Sequence, residues 1–252
     1  MAAAGTQPAR KPPMLRLNRD LDRKSLAGTY AREGYVQIAS LFPDDVAAAI
    51  EDALRHRTRW RLAVLGADGQ VRTFREDALR GMSPADAAAL QRDVMGRARD
   101  GFGFAYHFYP IVETYVAGED KGHVLHDLLR WLNQDEWLDF GREIIGCSTV
   151  DHSDAQATLY APGDFLTRHD DDYGNEHDRR AAFVIGFTRR WRTDWGGLLQ
   201  LLDETDRVET AFAPQFNLVT FFKVPRWHSV SYVPPFAGEG RYSITGWLDH
   251  LS

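Results

Sequence analysis

The sequence predicts a mostly β protein with flanking α: helices packed on a C-terminal β-sandwich or barrel. Three observations predict this. From Ser148 onward, short runs alternate in polarity or are β-branched, with Gly, Pro, Asp and Asn between them, at 155–160, 165–170, 181–188, 197–202, 208–212, 216–222, 228–233 and 241–248. Short strands at that spacing, punctuated by turn residues, are how sandwiches and barrels read in sequence. Before Ser148 the texture is mostly helical. Finally, 252 residues with 44% hydrophobic content, seven Trp and fourteen Phe can fill a sizeable core, so 15–252 is expected to be one domain, with 15–147 as its helical flank and 148–252 as its β core.

The elements follow in order. Residues 1–14 are small, basic and Pro-rich. They lack the apolar run of about 7–15 residues that a secretory signal needs, and a disordered tail is expected. Leu21 to Gly34 reads as a helix and Tyr35 to Ala39 as a short strand. Pro43 followed by Asp44 and Asp45 suits a helix start, because Pro fits the first turn and acids favour the positive end of the helix dipole. Val46, Ile50 and Leu54 then form its apolar face. Ser83-Pro84 opens another helix, to about Arg99, and 102–110 is aromatic and extended. His123 to Leu132 and Asp135 to Ile145 read as two packed helices; Asn133 with Glu136 resembles a capping box, and Gly146 is a stop.

The formal net charge of −6 argues against a nucleic-acid partner held by a broad basic surface. No stretch approaches the roughly 20 apolar residues of a membrane span. The single Cys147 excludes an internal disulfide and a zinc site built on several thiolates. Together these features point to the reducing cytoplasm.

The informative segments are Arg-His-Asp-Asp-Asp at 168–172, Trp-His-Ser at 227–229 and Arg-Tyr-Ser-Ile-Thr-Gly-Trp at 241–247. Residues two apart on a strand share a face, so Phe165, Thr167, His169 and Asp171 point the same way. His169 and Asp171 can reach one metal, and a third ligand must come from elsewhere, with His228 available. Two imidazoles and a carboxylate on one face of iron(II) leave positions open for a co-substrate and oxygen, a set that predicts redox catalysis. Against this, His-x-Asp recurs at His152-Ser153-Asp154 with no comparable strand leading into it, 170–172 also reads as a solvated acidic loop, and His228 alone reads as a surface histidine. On the last strand Arg241, Ser243, Thr245 and Trp247 share one face, and Tyr242, Ile244 and Leu248 the other. A guanidinium and two hydroxyls facing inward cost free energy unless they meet a ligand; the alternative is a solvent-facing surface. An Arg at the right depth clamps a dicarboxylate by paired charge-assisted hydrogen bonds.

Four blocks in order carry a resemblance: Tyr160-x-x-Gly163-x-Phe165-x-x-x-His169-x-Asp171-Asp172; Trp195-Gly196-Gly197-x-Leu199; Phe221-Phe222-Lys223-Val224-Pro225-x-x-His228-Ser229-Val230; and Arg241 to Trp247. Over about 155–250 the chain resembles the iron(II)- and 2-oxoglutarate-dependent dioxygenases of the prolyl 4-hydroxylase-like branch. The resemblance implies a double-stranded β-helix (a jelly-roll or cupin-like barrel) flanked by helices. It implies iron held by His169, Asp171 and His228, the distal carboxylate of 2-oxoglutarate paired with Arg241, and Tyr160 and Ser243 as supporting hydrogen bonders. Oxygen would be the other co-substrate, ascorbate a candidate reductant, and succinate and carbon dioxide the co-products.

Some positions refine the resemblance. Arg241 stands where collagen-type enzymes carry Lys, closer to the oxygen-sensing and ribosomal-protein hydroxylases. The eukaryotic ribosomal enzymes carry a second barrel, for which this chain has no room. The interval from His228 to Arg241 is longer than is common, because 234–240 forms a longer turn. Asp171 stands where related halogenases have Gly or Ala, which favours hydroxylation. The expected substrate is a prolyl residue in a protein or peptide. The alternatives are a free amino acid or small molecule, and a non-catalytic cupin-like binding or sensor protein. Candidate substrate contacts are Tyr173, Arg179, Trp195 and Trp227. Asp172 and Arg168 are candidates to orient the ligands, and 102–110 reads as core first and as a wall of the mouth second.

Overall fold

The structure, a computed structural model, describes residues 13–172 and 178–251. Most of the expected tail, residues 1–12, and Tyr173 lie outside the described residues. The helical flank holds α1 (Arg23–Glu33), β1 (Tyr35–Ala39), α2 (Asp44–His56), β2 (Arg61–Leu65), β3 (Val71–Arg75), α3 (Glu76–Gly81), α4 (Pro84–Asp100), β4 (Phe104–Tyr109), α5 (Ile111–Val116), α6 (Val124–Trp131) and α7 (Asp135–Ile145). The β core holds β5 (His152–Tyr160), β6 (Phe165–His169), β7 (Asp178–Phe187), β8 (Leu199–Leu202), β9 (Val208–Phe212), β10 (Phe216–Lys223), β11 (His228–Val230) and β12 (Arg241–His250).

Local chemistry sets the helix ends. Asp22 accepts a hydrogen bond from the Ser25 amide and Ser83 one from the Asp86 amide, satisfying first-turn donors. Gly34 and Gly146 end α1 and α7 at φ of 72° and 68°, the left-handed region that glycine enters freely. Val46, Ile50 and Leu54 of α2 are all fully buried.

The strands pair antiparallel in the order β1-β10-β7-β12-β5-β4-β6-β11-β8-β9, with the β2–β3 hairpin joined to β4 through β2. Strand β4 is the seam. Its first residues, Phe104 and Ala105, pair with Leu166 and Phe165 of β6, while His107 to Tyr109 pair with Leu159 to Ala157 of β5. The sheet therefore curls into a half-barrel with helices outside, which is the double-stranded β-helix expected. The outer face of its larger half is covered by α7: the Trp137 ring lies 5.1 Å from Phe183 and 5.6 Å from Phe221. A Cβ on Gly141 of α7 would stand 2.7 Å from Leu248 Cδ1, so only glycine lets the helix come this close to β12. No helix among the described residues is long and apolar enough to cross a membrane.

Three expectations are corrected. The first half is less helical than its texture, because β2, β3 and β4 lie within it. Arg61, Arg72 and Arg75 break the apolar alternation of the hairpin, and β3 is largely exposed, so no buried stripe marks it. Asn133 and Glu136 form no capping box. Asn133 instead holds Ser153 by its backbone N–H and C=O, at 3.0 and 2.7 Å, and Glu136 accepts from the Leu17 amide and the Trp131 indole. Long-range partners displaced the local ones. Strand boundaries also move: β5 begins at His152, and β8 begins at Leu199 because Gly196 and Gly197 turn at φ of 61° and 60°.

Candidate metal centre and its cavity

The register of two short strands brings the distant histidines together. His169 at the end of β6 sits directly opposite His228 at the start of β11, with ring centroids 4.0 Å apart. Asp171 lies two residues past β6 at φ 62°. That left-handed conformation is uncommon for a residue with a side chain and marks strain held by its surroundings. The turn, rather than the strand pleat, thus places the carboxylate. Its oxygens lie 3.5 Å from His169 Nε2 and 3.4 Å from His228 Nε2. One ligand atom from each of the three residues lies within 4.8 Å of the others.

The surroundings fix the orientation of each group. His169 Nδ1 lies 3.0 Å from the Thr167 carbonyl and His228 Nδ1 2.7 Å from the Arg226 carbonyl. A carbonyl only accepts, so Nδ1 carries the proton and both Nε2 lone pairs face the carboxylate. Burial, and then the neighbouring His228, lower the His169 pKa to about 4, so its ring is neutral near pH 7. Burial alone would raise the Asp171 pKa. Its contacts with His228 and then His169, together with the indole N–H of Trp247, outweigh burial and hold it at about 2. That indole donates to Asp171 Oδ2 at 2.9 Å, and the Arg179 guanidinium lies 3.7 Å over its ring. Two nitrogen donors and one carboxylate, with remaining directions open to a cavity, suit a divalent transition metal such as iron(II).

The antiparallel register of β12 against β5 builds the other end. Arg241 pairs with Tyr160, Ser243 with Thr158 and Thr245 with Gln156. Arg241 and Ser243 are only 4% and 1% exposed, which excludes the solvent-facing alternative. Arg241 Nη1 is buried without a hydrogen-bond partner, and burial lowers the guanidinium pKa. A buried N–H of a cation with nothing to donate to is costly, and it fits a site whose carboxylate partner is a ligand. Tyr160 lies under Arg241, 5.0 Å from ring centre to Cζ, and burial raises its pKa, so its phenol stays protonated. Ser243 Oγ hydrogen bonds to Thr158 Oγ1 at 2.8 Å. A Cβ on Gly196 would meet the Tyr232 carbonyl oxygen at 2.0 Å, which is why this block carries glycine.

A cavity of about 600 Å³ joins the two ends. Tyr160, Thr158 and Arg241 line it, as do His169, Asp171 and His228, and so do the aromatic rings of Phe102, Phe104 and Tyr106. Tyr160, His169, Asp171, His228 and Arg241 therefore share one space, with Ser243 one hydrogen bond behind Thr158. The aromatic segment 102–110 does both things expected of it: Ala105 and Tyr109 are buried core, while Phe102, Phe104 and Tyr106 line the cavity.

Three proposed substrate contacts do not line the cavity. Arg179 covers Trp247. Trp195 meets Trp191 edge-on at 5.4 Å. Trp227 carries the Arg168 guanidinium at 3.5 Å. Arg168 also pairs with Asp206, so it holds the outer wall instead of orienting a ligand. Asp172 is exposed. His152 is absent from the converging group. Sequence reasoning missed Thr158 and Gln156 as lining residues and Trp247 as the partner of Asp171. Their signal was available in part, since Gln156, Thr158 and Tyr160 share a face by their spacing of two.

Comparison with known proteins points the same way. Residues 155–249 match the model of the 2OG-Fe(II) oxygenase superfamily, the stretch that holds the trio and Arg241. Prolyl 3-hydroxylase sudestada1 of Drosophila melanogaster is 31% identical over 112 residues, 39% of this chain and 20% of that protein. Prolyl 3-hydroxylase OGFOD1 of Mus musculus is 30% identical over 133 residues, 50% of this chain and 22% of that protein. The matched part thus spans about a fifth of each relative. A Pseudomonas putida prolyl-4-hydroxylase shares the fold, with a TM-score of 0.57, 19% identity, and coverage of 91% of this chain and 100% of that one.

Proposed function

We propose that this chain, a dioxygenase-type oxidoreductase whose residues 155–249 match the 2OG-Fe(II) oxygenase superfamily, hydroxylates a prolyl residue in a protein or peptide. Iron(II) is its metal, and 2-oxoglutarate and oxygen are its co-substrates. The observation that carries the reading is the pairing of a His169–Asp171–His228 cluster with a buried, partnerless Arg241 N–H across one cavity.

When bound, the iron and 2-oxoglutarate supply the oxidation: one atom of oxygen enters the substrate C–H bond, and the other enters succinate as carbon dioxide leaves. This chain's residues do the placing. His169, Asp171 and His228 would hold the metal, through the two imidazoles and the carboxylate. Trp247 holds the second carboxylate oxygen. Arg241 takes the distal carboxylate of 2-oxoglutarate, with the Tyr160 phenol and, through Thr158, Ser243 in support. Phe102, Phe104 and Tyr106 add aromatic surface to the cavity, on which a pyrrolidine ring can pack. Asp171 occupies the position that a halide would need, which supports hydroxylation. Ascorbate is a candidate reductant. The cytoplasm is the compartment proposed, because Cys147 is a free thiol.

A free amino acid or other small molecule is the second reading, favoured by a cavity whose volume lies within the range of small-molecule pockets. The test is an anaerobic titration of iron(II) and 2-oxoglutarate, followed by turnover with proline-containing peptides. The expected result is a weak visible charge-transfer band that Asp171→Ala removes, then succinate formed in step with peptide gaining one oxygen atom. Loss of rate on truncating the peptide separates the readings, because a peptide enzyme uses remote contacts. A folded protein with no band and no succinate returns the chain to the cupin-like binding reading.

A further inference from the structure

The main cavity does not end at the metal trio. A second pocket of about 250 Å³ lies beside it, and Gln156 and Trp247 line both. Phe108, Pro110 and Val112, at the junction of β4 and α5, give this pocket its apolar lining, and the carboxylates of Glu113 and Asp154 also border it. Val112 is 43% exposed, and nothing among the described residues covers its outward side. Glu113 closes the rim, with Arg61 3.6 Å away. At the shared wall the half-buried side-chain amide of Gln156 makes no hydrogen bond among the described residues. Such an amide offers both a donor and an acceptor, the two groups that a peptide bond needs answered.

We infer that this second pocket is a specificity subsite for an extended peptide substrate, resting on the peptide-hydroxylase reading above. The reacting residue sits at the trio, Gln156 pairs with the backbone between the pockets, and an apolar side chain flanking the reacting residue packs on Phe108, Pro110 and Val112. Adjacency favours one occupant: Gln156 and Trp247 line both pockets, so a chain extending from the trio into the second pocket meets them on the way. A small molecule confined to the main cavity leaves the Gln156 amide and the Val112 surface unused.

The experiment uses the full chain with iron(II), 2-oxoglutarate and a library of peptides with a central proline and randomised flanks, read by mass spectrometry for added oxygen. Wild type is expected to favour Leu, Ile, Val, Met or Phe over Asp and Glu at one flanking position, on the order of tenfold. Val112→Glu, a change at an exposed site, should switch that position to Lys and Arg. Because a switch is a gain, it cannot come from misfolding. Gln156→Leu should lower kcat/KM for all library members without altering the side-chain preference. Peptides hydroxylated with the same flanking preference in wild type and Val112→Glu would overturn the subsite and leave the peptide reading standing. Hydroxylation of free proline or a small molecule with every peptide refused would overturn both.

Discussion

The two faces of β12 are built from one run of ten residues and do opposite things. Outward, Ile244 and Leu248 are fully buried under the helices, where Trp137, Phe140, Phe183 and Phe221 interlock. Inward, Arg241, Thr245 and Trp247 line the cavity, Ser243 stands one hydrogen bond behind it, and Arg241 keeps a buried N–H without a partner. Apolar burial is what stabilises a fold, and an unanswered buried cation opposes it. The difference teaches that the helix-packed face supplies the stability that lets the other face stay costly until a ligand arrives.

The comparison can be broken most severely at the trio. Asp171→Ala should abolish iron(II) binding by calorimetry and turnover with it, while the thermal unfolding of the apoprotein stays close to wild type. The outer face should behave in the opposite way. Trp137→Ala should cost about 3–5 kcal/mol in a denaturant titration, with iron affinity unchanged in the molecules that remain folded. Arg241→Met sharpens the contrast within one residue. It should weaken 2-oxoglutarate binding by about 2–5 kcal/mol, read from the charge-transfer titration, yet leave the apoprotein as stable as wild type or more so, since an unpaired buried charge is replaced by an apolar chain. Trp247→Phe keeps the ring under Arg179 and removes only the N–H. Iron affinity should fall about 10–100-fold, the usual effect of losing a ligand's supporting hydrogen bond. His152→Ala should be nearly silent in both assays, within about 0.5 kcal/mol; loss of iron there would mean that the wrong His-x-Asp pair had been chosen.

How legible each part was follows from where its partners lie. The β core could be read because its signals are local: alternation along 155–160 and 216–222, and Gly, Pro, Asp and Asn between the runs. The trio and Arg241 could be read because the four blocks keep their order, although the interval from His228 to Arg241 is longer than is common. What brings His228 onto His169 is a ladder register between strands far apart in sequence, which no local pattern contains. The β2–β3 hairpin was hidden because charged residues interrupt its alternation and little of β3 is buried. Arg179 and Trp227 looked available for substrate because their partners, the Trp247 ring and the Arg168 guanidinium, come from other segments; the partner of Trp195 is Trp191 in its own segment. Trp247 was placed on the correct face of β12, but its hydrogen bond to Asp171 depends on a turn at φ 62°, and sequence does not announce that turn.

The seam strand β4 also acts as a calliper. Among the described strands it alone hydrogen bonds to both halves of the sheet, so its six residues set the gap between the jaw that carries Arg241 and the jaw that carries the two histidines. On the function proposed above, a keto acid would touch both jaws at once, and its permitted chain length would be measured against the width of the opening. Widening the gap by remodelling β4 would then make the protein prefer a longer dicarboxylate, with every residue that touches the co-substrate left as it is.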